Sequence, residues 1–351
     1  MPSMLYAAGQ HANLLGRALS ATMSPSADAL FPVANLGDGR PTRPARHGTN
    51  GANPWTTFDL AAFAPQGAGT VTITARSGER RRITSSGATS ITLQNLRTGK
   101  YLTSGGAWQV ASTSCLSGAG SLDYQVEDLT ACQATTVLLK IVITTGTDVW
   151  DQPRWNAMGV IGHNLDPALT CELRSSTDNF SGSDVLEAPG TALMPGFFMY
   201  DSGGISNRYG RLALTGTNQA TPWYGELFPC WLESSIDRPD VGMEVQYEEP
   251  QVRNSGPSGG APHVYNLAPW PRRIARMAFD QGATTGAIET RQEIVLRCRG
   301  GAYPILLAPV DAEPVVLHGR LTEKWSETRF ISTRWRNDLV VAEDEIAAPL
   351  A

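Results

Sequence analysis

The chain has 351 residues, enough for two or three domains that each bury their own core. Charged residues make up only 17% against 41% hydrophobic, with 35 Gly and 23 Pro, a composition that suits short strands joined by turns and excludes long amphipathic helices as the main element. The net charge of −5 is spread without a long acidic or basic block, which removes any general electrostatic case for binding nucleic acid or an anionic membrane.

Residues 1 to 30 are small and polar, interrupted by Pro2 and Pro25. They read as an arm or, by preference, as the first strand of the domain that follows. In residues 31 to 60, Asp38-Gly39 is a turn dipeptide and Pro41, Pro44 and Pro54 deny regular structure, so an ordered loop leads into the strand TTFDL after Trp55. From 63 to 152 the texture changes to Thr-, Ser- and Val-rich strands bounded by Gly-containing turns at short spacing. That reads as a complete β-module inserted into a surface loop of a host domain; an extended sheet of one larger sandwich is the alternative.

WDQPRW returns the chain to the host. In WNAMGVIGHNL, Trp155 to Leu165, no polar residue interrupts Ala157 to Ile161, which predicts a strand buried on both faces and closed by the turn Gly162-His163-Asn164. RYGRLALT and WYGELFPCWL follow as two strands that fit as antiparallel neighbours. Beyond Glu233, NSGPSGGAP reads as a flexible linker and RRIARMAFD as a strand. Ile288, Arg291, Val295 and Cys298 at helical spacing predict one short helix, and proline-flanked apolar runs to the C-terminus predict three or four more strands.

Three phrases recur in one order: N-L-x-D-G with a loop and W-x-x-F-D-L (Asn35 to Leu60), the strand ending in G-H-N-L, and the pair Y-x-R-L and G-E-L-F. Together they resemble the galactose-binding-type (discoidin-like) β-sandwich of structural proteins in tailed-phage virions, particularly around the tail tip. The likeness covers about residues 25 to 62 and 153 to 235. With the strand pattern it implies a mostly β fold: a galactose-binding-like β-sandwich (jelly roll) from residues 1–62 plus 153–235, an inserted β-module over 63–152, and a smaller C-terminal α+β domain over 236–351. The insertion and the lack of a D-L-G triplet after Phe58 depart from the family pattern.

The resemblance implies a tail-tip or minor tail protein located in the virion and assembled in a host cytoplasm. Its partners would be other tail proteins and copies of itself. The alternative is a carbohydrate- or receptor-binding module on the same particle that takes a host-surface glycan. Neither nucleic-acid binding nor membrane insertion is expected. In such folds the D-G loop can carry a structural calcium. Asp38 is the only carboxylate there, so carbonyls would have to supply most of the about six to eight oxygens that calcium takes, and no other cofactor is expected.

The search for chemistry yields little. Five cysteines, Cys115, Cys132, Cys171, Cys230 and Cys298, are far apart and form no C-x-x-C pair, so buried reduced thiols are expected rather than zinc or disulfides. No run approaches the ~18 apolar residues of a membrane span, and no leader-like segment opens the chain, so a soluble chain is expected. The five histidines are isolated, and no nucleophile elbow, P-loop or dinucleotide fingerprint occurs. The acidic groups Asp148/Asp151 and Glu343/Asp344/Glu345, and the run Glu79 to Arg82, read as solvated charge, and the expectation is not an enzyme. Candidate contact residues are aromatics at strand ends, namely Trp55, Trp150, Trp155, Trp223, Tyr224 and Trp231, with the turn residues His163 and Asn164. These are expected to divide between the core and an interface or glycan surface.

Overall fold

The computed structural model describes residues 4–8, 13–18, 20–38, 40–61, 63, 67–87, 90–127, 136–145, 148–193, 196–236, 243–248, 251–254, 263–266, 272–282, 292, 294–299, 301–309, 317–322, 326–331 and 334–344. Its spine is the strand Trp155–His163, all nine residues of which are buried. Gly196–Ile205 pairs with it on one side and Trp223–Cys230 on the other, with Ala45–Arg46 beyond, giving a four-stranded sheet. Alternate side chains of a strand point to opposite faces, and here each face meets a different core. Met158 and Val160 pack with Phe58, Leu173 and Leu212 of a five-stranded sheet, forming a sandwich. Ala157 and Ile161 meet Leu5, Leu306 and Ala308 of an eight-stranded sheet on the opposite side. An uninterrupted apolar run is what a middle layer requires.

Strands from both sides of residues 63–152 close the sandwich. Ser20–Ser24 pairs with Trp55–Asp59, which pairs with Tyr209–Thr215. The first strand does otherwise. Met4–Ala8 lies between Glu233–Ile236 and Ile305–Pro309 in the eight-stranded sheet rather than in the sandwich. Leu5 and Ala7 enter the core shared with the spine while Tyr6 enters the core on the far face, so MLYAA is apolar on both sides and fits an interior position. Ser20–Ser24, which keeps one of its five residues buried, fits an edge.

Residues 69–153 close on a core of their own, formed by Ile73, Ile83, Leu93, Leu139, Ile141 and Val149 between a six-stranded and a three-stranded sheet. The last strand, Val149–Pro153, leads directly into the spine. At the junction the guanidinium groups of Arg80 and Arg154 lie 5.1 and 5.3 Å from the Trp231 ring centroid, and Gln152 donates to the Asn207 carbonyl at 3.2 Å.

Charges that read as solvated are in several cases buried. Arg81 of the Glu79 to Arg82 run is 1% exposed; its Nε donates to Asp151 at 2.6 Å and its Nη1 to Glu79 at 2.8 Å. Asp151 is fully buried and also accepts from the Tyr124 hydroxyl at 2.7 Å. Glu343 is buried on Arg273, whose Nε donates to it at 2.9 Å. Each charge lies at an inward strand position, where only a paired and hydrogen-bonded ion is tolerated.

On the far face of the eight-stranded sheet, Gln292 and residues 294–297 are helical, with Ile294 and Cys298 packed against Tyr6 and Met277. Ile288 and Arg291 of the expected helix, residues 255–262 of the glycine-rich stretch and Cys132 lie outside the described residues. Cys115, Cys171, Cys230 and Cys298 are buried thiols. Among the described residues no helix is long and apolar enough to cross a membrane. The fold is mostly β.

Candidate contact surface

The structure separates the sequence candidates. Trp155 is fully buried, its indole N–H donating to the Asn207 carbonyl at 3.2 Å and its ring set edge-on to Phe58 at 5.6 Å. Trp223 and Tyr224 are also buried, so these three serve packing rather than contact with another molecule. His163 is buried and donates from Nε2 to the Leu193 carbonyl at 3.0 Å while Nδ1 accepts from the Leu165 N–H at 3.1 Å. Burial holds its imidazole down to about 4, so it is neutral at ordinary pH. Asn164 clips the neighbouring loop, donating to the Thr221 carbonyl at 2.9 Å and accepting from the Trp223 N–H at 2.9 Å. Gly162 and His163 thus end the spine strand rather than form the expected turn, and His163 and Asn164 act as an internal fastening.

Trp150, Trp231 and Trp55 are half-buried. Arg208 lies 5.7 Å from the Trp150 ring centroid, and Trp231 is taken up by the junction arginines. Trp55 is different. It starts the strand Trp55–Asp59 on the outer face of the five-stranded sheet, and Arg211 of the adjacent strand stacks on it at 4.6 Å. Phe180, from the loop after Thr170–Ser176, covers the same guanidinium at 3.6 Å.

Local chemistry fixes this ladder. Arg211 is opposite Thr57, and its Nε donates to the Thr57 hydroxyl at 2.9 Å. Asn179 and Phe180 are both left-handed, with φ of 57° and 62°, a cost on the order of 1 kcal/mol each that the loop must hold in place. It is held by Asp178, which accepts from the Ser183 N–H and the Ser176 hydroxyl, and by Ser176 Oγ, which accepts from the Phe180 N–H at 2.8 Å. Those donors, the Ser183 N–H first, hold the Asp178 carboxyl down to about 2. The outward edge of Arg211 has no acceptor among the described residues, and neither has the Trp55 indole N–H. Next to them Arg174 donates to Glu172 at 2.7 Å and to Asp184 at 2.8 Å, and Val185 and Leu186 are exposed. Rigid aromatics beside unspent donors are suited to a protein or sugar contact.

The sequence reading singled out Trp55 but missed Arg211 and Phe180. A lone Phe among Asp178, Asn179, Ser181 and Gly182, in a stretch too polar to bury it, was the available signal.

Two further polar sites do not add a ligand set. Asp38 accepts from the Arg40 N–H at 2.9 Å and lies 3.6 Å from Arg43. Among the described residues no group of three or more His, Cys, Asp or Glu side chains is placed to hold a metal ion. Glu226, on the strand beside the spine, is fully buried and accepts from the Asn13 amide at 2.6 Å; burial pushes its carboxyl up to about 8.

No family model matches the chain, and no curated protein matches it. Among solved structures it is similar to an f-lectin (fucolectin) from the serum of the striped bass, Morone saxatilis, with 11% identity, covering 64% of this chain and 100% of that one, at a TM-score of 0.18. A likeness at that score carries no argument, and the β-sandwich rests on the chain's own strand pairing.

Proposed function

We propose that this chain works by contact, as a structural component of a tailed-phage or prophage virion at the tail tip or as a minor tail protein. The observation that carries the reading is the contrast between interior and surface. Buried ionic groups pair with each other, Arg81 with Asp151 and Arg273 with Glu343, whereas the ladder Trp55, Arg211 and Phe180 presents unspent donors on a rigid outer sheet. The order of the G-H-N-L, Y-x-R-L and G-E-L-F phrases supports the choice of particle. Mass spectrometry of density-purified particles from cells carrying the gene tests it. The chain should co-sediment with tail proteins in fixed ratio, and its absence from intact particles would refute the reading.

A second reading, a carbohydrate-binding module, draws on the same ladder. Arg211 with Arg174 against Glu172 and Asp184 is charge-balanced, a mix of donors and acceptors that suits sugar hydroxyls beside an aromatic ring. Retention on a neutral-glycan array by a chain absent from particles would favour it.

A further inference from the structure

The strand Gly69–Arg76, sequence GTVTITAR, is an edge strand. It pairs with Thr136–Ile143 through eight consecutive residues without a register shift, and no described strand covers its other side. An uncovered edge presents a row of N–H and C=O groups that proteins ordinarily blunt with charge, proline, a bulge or short length. Here the Arg76 end is taken up by Glu79, which accepts from the Arg76 N–H at 2.9 Å, and the stretch from Gly69 to Ala75 is the part on offer. Several other described edges are blunted in those ways, and Ser20–Ser24, which is uncharged and without a register shift, is only five residues long. Val185–Thr191 carries Pro189 and a register shift, Gly196–Ile205 carries Asp201 and a register shift, and Met243–Glu248 carries two glutamates. Ala45–Arg46 and Trp108–Gln109 are two residues long. Gly69–Arg76 has no proline, no bulge and no charge before Arg76.

Its side chains are also ordered for self-pairing. Thr70, Thr72 and Thr74 are exposed on the outer face, while Ile73 and Ala75 are buried and Val71 is partly buried on the inner face. A two-fold axis perpendicular to the sheet at Thr72 would set a second copy antiparallel with faces matched. Thr72 would then face Thr72 of the second copy, Thr70 would face Thr74, and Val71 would face Ile73. Cross-strand Thr–Thr and β-branched pairs stabilise antiparallel sheets, and the inner apolar face would continue across the join.

We propose that Gly69–Arg76 is a self-association edge, through which two copies of this chain join their inserted modules into one continuous antiparallel sheet. The inference deepens the assembly reading but is separable from it, since pairing in solution needs no particle and recovery in particles needs no pairing. One eight-residue edge gives an interface at the small end of specific contacts, so the dimer is concentration-dependent.

The test is sedimentation velocity of the full chain over a concentration series with three proteins. The wild type should gain mass with concentration toward a dimer. Thr72→Lys places like charges face to face at the axis and should weaken association at least about tenfold. Thr70→Lys with Thr74→Glu places opposite charges across the join and should associate at least as well as wild type. Thr70 and Thr74 stand opposite Val142 and Leu138, so the double variant should melt with the wild type, whereas Thr72→Lys also stands opposite Lys140 of its own chain and should melt slightly lower, so association is compared at a temperature where all three proteins are folded. A wild type that stays monomeric at the highest concentration would overturn the proposal, and so would a normally folded Thr72→Lys variant that dimerises undiminished.

Discussion

Glu226 is a carboxyl walled in by protein. The groups facing it are Asn13 from the N-terminal segment, Asp38 from the proline loop, and Arg320 and Asp344 from the eight-stranded sheet, where His318 is also buried. In the unfolded chain its proton leaves near 4.5, whereas the folded protein keeps it until about 8, so folding stability falls as pH rises across that window. His163 and His318 act in the opposite sense. Burial lowers both from 6.5 to about 4, so the stability they contribute is complete above 6.5 and is lost as pH falls toward 4. Two histidines outweigh one glutamate below 6.5, and the glutamate acts alone above it. These three groups therefore place maximal stability near pH ~6.5. Glu226→Gln keeps an acceptor for Asn13 and removes the alkaline loss, on the order of a few kcal/mol. Urea titrations from pH 6.5 to 9 check this: wild-type stability should decline while the variant's stays flat, and parallel declines would refute it.

At the scale of the element, packing sets the sensitive positions. A Cβ added at Gly210 would lie 2.4 Å from Phe58 and 2.6 Å from Trp155, two rings locked in the sandwich core. Gly210→Ala should cost about 1–3 kcal/mol, measured by chemical denaturation. A Cβ at Gly190 would lie 2.6 Å from Met199 and 3.2 Å from Phe197, both buried in the same core, and Gly190→Ala should also cost about 1–3 kcal/mol. In the inserted module, Asp151→Asn leaves Arg81 with Glu79 as its remaining carboxylate and should cost about 3–5 kcal/mol. Pairing Arg81→Met with Asp151→Leu should recover most of that loss. The spine was legible in the sequence because a strand covered on both faces must be apolar throughout, and Ala157 to Ile161 are. The buried ion pairs were not, because period-two alternation says which residues share a face but not which face turns inward. Arg81 and Arg82 look alike until the sheets close. Nor was the place of Met4–Ala8, whose partner Ile305–Pro309 is distant in sequence and leaves no local mark.

The whole molecule stacks five-, four- and eight-stranded sheets around one spine, with a separately cored module carried beside it. Loops and outer faces are what such a stack has left to offer a partner, and the Trp55, Arg211 and Phe180 ladder is an ordered group on them. Part of it was legible, since Trp55 stands at a strand start. The rest depends on a left-handed Phe180 that only the folded loop around Asp178 defines. On the proposed reading this face is used for assembly. Arg211→Ala tests it most directly, by comparing variant and wild-type chain in purified particles after confirming equal melting temperatures. Loss of a central contact residue costs about 2 kcal/mol or more, so incorporation should fall at least about tenfold. Wild-type incorporation of the folded variant would contradict the account.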